Sequence, residues 1–174
     1  IITDLLSLVK MDKTSANLNI ENRNLNELIE LILKRLRPIA KQRNIDVLYE
    51  SAREVFAEID EVKLTLAISN LVENAIKYNK EYGYVKVSLD ADHQFATIMV
   101  EDNGIGIPEE AQEHIFERFY RVDKSHSREI GGTGLGLAIA RNAILLHRGS
   151  IKIDSEEGQG TVFTVKIPII YVSK

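Results

Sequence analysis

The sequence contains no cysteine, and only three prolines and four histidines among its 174 residues. The absence of cysteine excludes disulfides and thiolate metal sites. His93, His114, His126 and His147 are scattered without the spacing of metal ligands, which argues against a zinc site. No apolar run approaches the roughly 20 residues that a membrane-spanning helix needs, and no signal-peptide pattern is visible.

The overall composition is that of an ordinary globular protein, with 44% hydrophobic and 28% charged residues. Its length predicts one domain with at most a small appendage. The net charge of −4 argues against a nucleic-acid partner. The first residue is Ile1 rather than Met, within an apolar pattern that is already under way, so we expect the chain to be part of a longer protein.

Residues 1–13 carry apolar side chains at helical spacing on two sides. This pattern favours either a helix with a coiled-coil or bundle partner, or a plain amphipathic helix on its own core. Residues 1–14 are therefore predicted to form a helix end plus the start of a linker. Residues 15–174 are predicted to form the main domain.

The order of elements predicts an α+β fold, a two-layer α/β sandwich in which a mixed, antiparallel-rich sheet packs on helices. Asn24 and Asp60 are predicted to cap two long helices; Pro38 should kink or split the first, and Gly83 should end the second. Weakly structured residues 101–132, with short helical pieces at 109–114 and 115–119, are typical of a lid over a site. Strands are predicted at 18–21, 45–49, 55–57, 85–89, 96–100, 150–154 and 161–167.

The glycine-rich stretch 131–136 leads directly into an apolar helical run. A helix start offers unpaired N–H groups and a positive dipole end, so this stretch predicts an anion site of the kind that binds phosphate. A tight helix–sheet contact is the alternative. The P-loop and dinucleotide-binding motifs do not fit, because Leu137 and Ala138 follow Gly136 and no strand precedes the loop.

Asn70, Glu73, Asn74 and Lys77 follow one another at spacings of three and four, so they share one polar face of a helix. A solvated face is the simple interpretation. Two asparagines are poor helix formers, however, and an amide oxygen beside an ammonium group suits a Mg²⁺–phosphate complex.

Asp102 precedes two glycines at a predicted strand end. A turn is the simple interpretation, and a carboxylate that accepts from a ligand amino group is the sharper one. In the predicted lid, Phe116 and Phe119 would anchor the segment on the domain surface and leave Arg118 and Arg121 free to bind phosphate.

Four segments, 70–78, 102–108, 116–121 and 132–137, resemble in order and spacing the N, G1, F and G2 boxes. These boxes belong to the ATP-binding domain of bacterial sensor histidine kinases, in the superfamily that includes DNA gyrase. The resemblance covers residues 18–170, and the opening helix resembles the end of that family's second dimerisation helix.

The resemblance implies a role for each matching residue. Asn74 would hold Mg²⁺ with Asn70 beside it, Lys77 would reach the phosphates, and Tyr78 would pack over the nucleotide. Asp102 would bind the adenine amino group and Thr161 would support it through its hydroxyl. Arg118 and Arg121 would act on the phosphates from the lid. The remaining nucleotide contacts would be Gly104, Ile105, Gly106, Ile107, Phe119, Gly132, Thr133, Gly134, Leu135, Gly136 and Leu137.

The resemblance also implies a function: ATP and Mg²⁺ as cofactors, and transfer of the γ-phosphoryl group to a histidine on a dimerisation domain that lies outside this chain. Asn70 stands where the superfamily's ATPases carry a glutamate base, which favours transfer to a protein over hydrolysis. The implied partners are that domain and a response regulator, in a homodimeric protein whose catalytic part faces the cytoplasm from a membrane-anchored sensor. A silent nucleotide-binding module and a gyrase-like ATPase are the alternatives.

Overall fold

The computed structural model describes residues 18–117 and 136–171. The helices are α1 (Leu25–Gln42), α2 (Glu61–Lys77), α3 (Glu109–Gln112) and α4 (Gly136–Leu146). The strands are β1 (Ile20–Asn24), β2 (Asp46–Ser51), β3 (Phe56–Asp60), β4 (Tyr84–Ala91), β5 (Phe95–Asp102), β6 (Ser150–Glu156) and β7 (Gly160–Pro168). The predicted helix and linker at residues 1–14 lie outside the described residues. From Ile20 to Pro168 the elements follow the predicted order, except that the helical piece predicted at 115–119 is a turn in its described part, residues 115–117.

The main sheet has five strands in the order β2-β4-β5-β7-β6, and β1 pairs with β3 in a separate ribbon. Among the strands of the described residues, β2 and β4 run parallel and the other pairs are antiparallel. Alternate residues of the central strands are fully buried, among them Val87, Ile98 and Val165. Helices α1, α2 and α4 pack on this sheet. The predicted two-layer sandwich is confirmed.

Both predicted helix caps are present. The Asn24 side chain accepts from the Glu27 N–H at 3.1 Å, and Asp60 accepts from the Lys63 N–H at 3.0 Å. Each cap satisfies one of the N–H groups that a helix start leaves without a partner. None of the helices in residues 18–117 and 136–171 combines the length and the apolar character needed to cross a bilayer.

Pro38 does not split the first helix, because α1 runs without interruption through it to Gln42. The other half of that prediction, a kink at Pro38, stays a prediction. Proline removes one helical hydrogen bond at a cost of about 3 kcal/mol. Leu36 and Ala40 on either side are buried, at 2% and 0% exposure, and their packing on the core holds the helix together across the proline.

The prediction that Gly83 ends the second helix is also wrong, since α2 ends at Lys77. The Asn79 side chain accepts from the Lys80 N–H at 2.8 Å and donates to the Tyr84 carbonyl at 2.9 Å. Such local bonds compete with the helical pattern and stop the helix several residues earlier. The first strand likewise lies later than predicted, at Ile20–Asn24, because it pairs with β3 along its whole length.

Candidate functional site

The candidate site begins at Asp102, the last residue of β5, which is only 8% exposed. The Gly104 N–H donates to its Oδ1 at 2.9 Å, and both this bond and the nearby Thr161 N–H act to lower the pKa of the carboxylate. Burial nevertheless raises the pKa of Asp102 to about 6, with a smaller contribution from the negative charge of Glu101. Within the described residues no lysine or arginine pairs with this carboxylate.

The loop after Asp102 is joined to the end of α2, because the Ile105 N–H donates to the Tyr78 carbonyl at 3.1 Å. A Cβ at Gly104 would collide with that carbonyl and lie 2.8 Å from the Asn79 Cα. Gly106 has φ +71°, and a Cβ there would collide with the Glu156 main chain. These glycines are explained by close backbone packing, and their role towards a nucleotide ring stays a prediction.

Asn70, Asn74 and Lys77 are half-buried on one face of α2, while Leu71 and Ala75 on the other face are buried. The Asn70 Nδ2 is buried and has no hydrogen-bond partner among the described residues. The loop that carries Asp102 meets the chain at Tyr78 and Asn79, just beyond the end of this helix.

The start of α4 adjoins the same polar face. A Cβ built on Gly136 would lie 3.9 Å from the Asn70 Cγ, so the first residue of α4 stands next to that side chain. Leu137, the next residue, packs partly on the core. A helix start beside an amide side chain is favourable for phosphate, because its unpaired N–H groups can donate to an anion.

The donor set for a metal is small. No group of three His, Cys, Asp or Glu side chains that could hold an ion occurs in residues 18–117 and 136–171. The Asn74 side chain has no hydrogen bond in this part of the chain, so its oxygen is available. A single amide oxygen fits Mg²⁺ that arrives with phosphate and water ligands, and does not fit an all-protein metal cage.

The base of the predicted lid packs on the domain as expected. Ile115 is 4% exposed, and the Phe116 ring meets Phe163 edge-on with centroids 6.3 Å apart. The Arg141 guanidinium lies 6.0 Å from the Phe116 ring centre, within the range of a cation–π contact. The predicted contacts Arg118, Phe119, Arg121, Gly132, Thr133, Gly134 and Leu135 lie outside the described residues.

Ile105 and Ile107 differ in exposure although they are two residues apart. Ile105 is 51% exposed, whereas Ile107 is 9% exposed and belongs to the hydrophobic core. The Ile107 N–H donates to the Ser155 Oγ at 2.8 Å, and its carbonyl accepts from the Gln112 Nε2 at 2.9 Å. Ile107 therefore fixes the loop, and Ile105 is the apolar side chain that remains open to a ligand.

Sequence reasoning missed the residues that hold this loop in place. Ser155 and Gln112 both tie it to the β6 strand, and the Asn103 Oδ1 accepts from the Tyr84 N–H at 2.8 Å. The Thr161 hydroxyl lies 2.8 Å from the Ser155 Oγ and makes no hydrogen bond to Asp102 in this structure. No motif marks these contacts, since they join residues up to 48 positions apart.

His147 is the histidine best defined by its contacts. It is 2% exposed; its Nε2 accepts from the Asp60 N–H at 3.0 Å and its Nδ1 lies 2.7 Å from the Ala143 carbonyl. This pattern requires the proton on Nδ1. Burial lowers the pKa of His147, so the ring is held neutral between α4 and the start of α2.

The fold and the site together define a nucleotide-binding domain of the α/β-sandwich class. The chain belongs to the family described as histidine kinase-, DNA gyrase B- and HSP90-like ATPase, whose profile matches residues 59–170. Sensor histidine kinase RppB of Synechocystis sp. is 42% identical over 99% of this chain and 38% of that protein. Sensor histidine kinase WalK of Bacillus subtilis is 39% identical over 97% of this chain and 28% of that protein. The chain thus spans less than half the length of either relative.

Solved structures show the same fold. The nucleotide-free catalytic domain of histidine kinase ThkA matches with a TM-score of 0.79 and 31% identity, over 90% of this chain and all of that chain. The mycobacterial sensor histidine kinase MprB matches with a TM-score of 0.75 and 28% identity, over 88% of this chain and 99% of that chain. ThkA in complex with the response regulator TrrA matches with a TM-score of 0.76 and 28% identity, over 97% of this chain and 48% of that chain.

Proposed function

We propose that this domain binds ATP with Mg²⁺ and transfers the γ-phosphoryl group to a histidine on a dimerisation domain. The observation that carries the proposal is Asp102, a buried carboxylate that has hydrogen-bond donors but no cation partner in the described part of the chain. Its remaining lone pairs suit an uncharged donor such as the adenine amino group.

The phosphate end is assigned to the polar face of α2 and the start of α4. Asn74 would hold Mg²⁺ through its amide oxygen, and Lys77 would reach the phosphates. Tyr78 and Ile105 would border the nucleotide on the loop side, and the N–H groups at Gly136 would face its phosphates. Mg²⁺, when bound, neutralises phosphate charge; the residues of the chain bind and orient the nucleotide, which is most of what phosphoryl transfer requires.

Two features favour transfer to another protein over the alternatives. Asn70, one turn before Asn74, is an amide and cannot take a proton from water, so it does not supply a hydrolytic base. Both ring nitrogens of the buried His147 are bonded, so this histidine is a poor phosphoacceptor. None of the four histidines is followed by an acidic residue and Arg-Thr-Pro, the acceptor pattern that the resemblance implies, so the acceptor is expected on a separate domain.

The wider context follows from the relatives. They are named sensor kinases, and ThkA has been solved with its response regulator TrrA. The proposed partners of the present domain are accordingly its own dimerisation domain, within a homodimer, and a response regulator. A cytoplasmic position below a membrane-anchored sensor belongs to the same proposal.

The experiment is phosphoryl transfer in trans. The 174-residue chain is incubated with γ-labelled ATP, Mg²⁺ and the purified dimerisation domain of a relative such as WalK. Acid-labile label should appear on the acceptor and not on the chain alone. An acceptor whose histidine is replaced, and omission of Mg²⁺, are the controls.

Two results would contradict the proposal. ATP binding without transfer to any supplied acceptor would indicate a silent nucleotide-binding module. Release of inorganic phosphate that is independent of the acceptor would indicate an ATPase. Either outcome would leave nucleotide binding intact and remove the kinase assignment.

A further inference from the structure

Three polar side chains form a row across neighbouring strands at the candidate site. Ser155 on β6 is the register partner of Thr161 on β7, and Thr161 is the register partner of Asp102 on β5. Directly opposed residues project from the same face of a sheet with Cβ atoms about 5 Å apart. The row therefore extends from Ser155 to the Asp102 carboxylate, with Thr161 between them.

Every hydrogen-bonding position of the Ser155 hydroxyl is in use. Its oxygen accepts from the Ile107 N–H at 2.8 Å and donates to the Gly160 carbonyl at 2.9 Å. The Thr161 Oγ1 is its third partner, at 2.8 Å. A hydroxyl offers one proton and two lone pairs, so three partners are its full complement.

These contacts determine the direction of the bond between the two hydroxyls. The Gly160 carbonyl can only accept, so it takes the single Ser155 proton, and the Ile107 N–H can only donate, so it takes one lone pair. The remaining lone pair of Ser155 can only receive the Thr161 proton. The Thr161 hydroxyl is left with lone pairs alone to offer to other groups.

We propose that Ser155 is a specificity-determining residue: by holding the Thr161 proton, it makes Thr161 and Asp102 an acceptor-only pair that selects an amino group on the base. Thr161 and Asp102 are 6% and 8% exposed, so both act where water competes little. An adenine amino group brings two N–H donors for two acceptors. A carbonyl at the same ring position brings only lone pairs, so it offers neither acceptor a donor at that position. The inference rests on the proposed function, in which Asp102 binds adenine.

The test compares ATP with inosine triphosphate, whose ring carries a carbonyl where adenine has the amino group. Calorimetric titration of the 174-residue chain with Mg²⁺ present should show that ATP binds at least about 100-fold more tightly. Ser155→Ala frees the Thr161 proton to donate to the carbonyl, so the ratio of the two affinities should fall by about 10-fold. Ser155→Thr keeps a hydroxyl and should retain the wild-type ratio.

Ser150→Ala is the matched control, because Ser150 lies on the same strand, is exposed, and makes no side-chain hydrogen bond among the described residues. A merely structural role for Ser155 would weaken both nucleotides equally and leave the ratio unchanged. That result would overturn the inference while leaving the proposed function in place. Equal binding of both nucleotides by the wild type would instead overturn the role of Asp102, and the inference with it.

A second variant keeps the inference testable if Ser155→Ala does not fold. Thr161→Val removes both the proton and the lone pairs of the hydroxyl. Because the proton is already committed to Ser155, the variant should lose about 10-fold in ATP affinity and nothing in inosine triphosphate affinity. An equal loss for both nucleotides would show that the Thr161 proton is available to ligands, and would contradict the inference.

Discussion

The two ends of the candidate site are built differently. At the base end, Asp102 already accepts from the Gly104 N–H, and the Ile105 N–H is bonded to the Tyr78 carbonyl. At the phosphate end, the buried Asn70 Nδ2 has no partner, and the Asn74 side chain makes no hydrogen bond, in the part of the chain that the structure describes. In the proposed function, the base end at Asp102 is formed before the nucleotide arrives, and the phosphate end at Asn70 and Asn74 is completed by it.

This difference suggests that the two ends contribute differently to affinity and to specificity. A preformed end needs little ordering when a ligand enters, so it favours discrimination between bases. A buried polar atom without a partner costs about 1–3 kcal/mol, and a ligand that supplies the partner recovers this free energy on binding. Affinity should therefore depend most on the phosphate end, and specificity on the base end.

Asn74→Ala is expected to have the largest effect. It removes the proposed Mg²⁺ ligand, so Mg²⁺-dependent ATP affinity should fall more than about 100-fold, the equivalent of roughly 3 kcal/mol. The fold should persist, because Asn74 lies on the polar face of α2 and alanine is the better helix former. Calorimetric titration with and without Mg²⁺, together with a thermal melt, measures both.

The matched control for that variant is Asn22→Ala, since Asn22 is exposed on β1 and makes no side-chain hydrogen bond in the described residues. It should bind ATP like the wild type. If Asn74→Ala kept its full Mg²⁺ dependence, or lost its melting transition, the assignment of the phosphate end would be wrong.

Asp102→Asn should cause the second-largest loss of ATP affinity. An amide is a weaker acceptor and adds an unwanted donor, so a charge-assisted bond of about 1.5–3 kcal/mol is lost, or about 10- to 100-fold in ATP affinity. The loss should be equal with and without Mg²⁺ if the two ends act independently. A loss confined to the Mg²⁺-bound nucleotide would place Asp102 in the phosphate end.

The residues of the phosphate end could be predicted from the sequence, whereas the residues that hold the loop at the base end could not. Helical spacing alone placed Asn70, Asn74 and Lys77 on one face, because that face is a local property of a 3.6-residue period. The contacts of Ser155 and Gln112 with the loop at Ile107 depend on strand register and on the conformation of that loop. Neither can be predicted from a local sequence pattern. For the same reason Asn79, whose side chain ends α2 early, was not recognised.

His147→Leu tests stability away from both ends. Leucine fills the space but leaves the Asp60 N–H without an acceptor, so the free energy of unfolding should fall by about 1–3 kcal/mol. Because burial lowers the pKa of His147, the wild type gains stability above the unfolded-state pKa of about 6.5 and loses it as pH falls below that value. Subtracting the urea-unfolding free energies of the variant from those of the wild type between pH 5 and 8 should give a difference that rises with pH.

The last prediction concerns stability alone, and it is the opposite pH dependence of Asp102. Its pKa is raised to about 6, so the native state binds a proton that the unfolded state releases, and stability falls as pH rises from about 4 to 6. The slope from this one group is at most about 1.4 kcal/mol per pH unit. Subtracting the free energy of unfolding of Asp102→Asn from that of the wild type at each pH isolates the contribution of Asp102. A difference that rises with pH would contradict a raised pKa for this carboxylate.

Amide hydrogen exchange in the free chain tests most directly whether the base end is formed before the ligand. The Gly104 and Ile105 N–H groups are bonded to Asp102 and Tyr78, so both should be protected in the absence of nucleotide and change little when Mg-ATP is added. The side-chain amide signals of Asn70 and Asn74 should shift on the same addition. Exchange of Gly104 and Ile105 at the rate of an unstructured peptide until nucleotide binds would contradict the account.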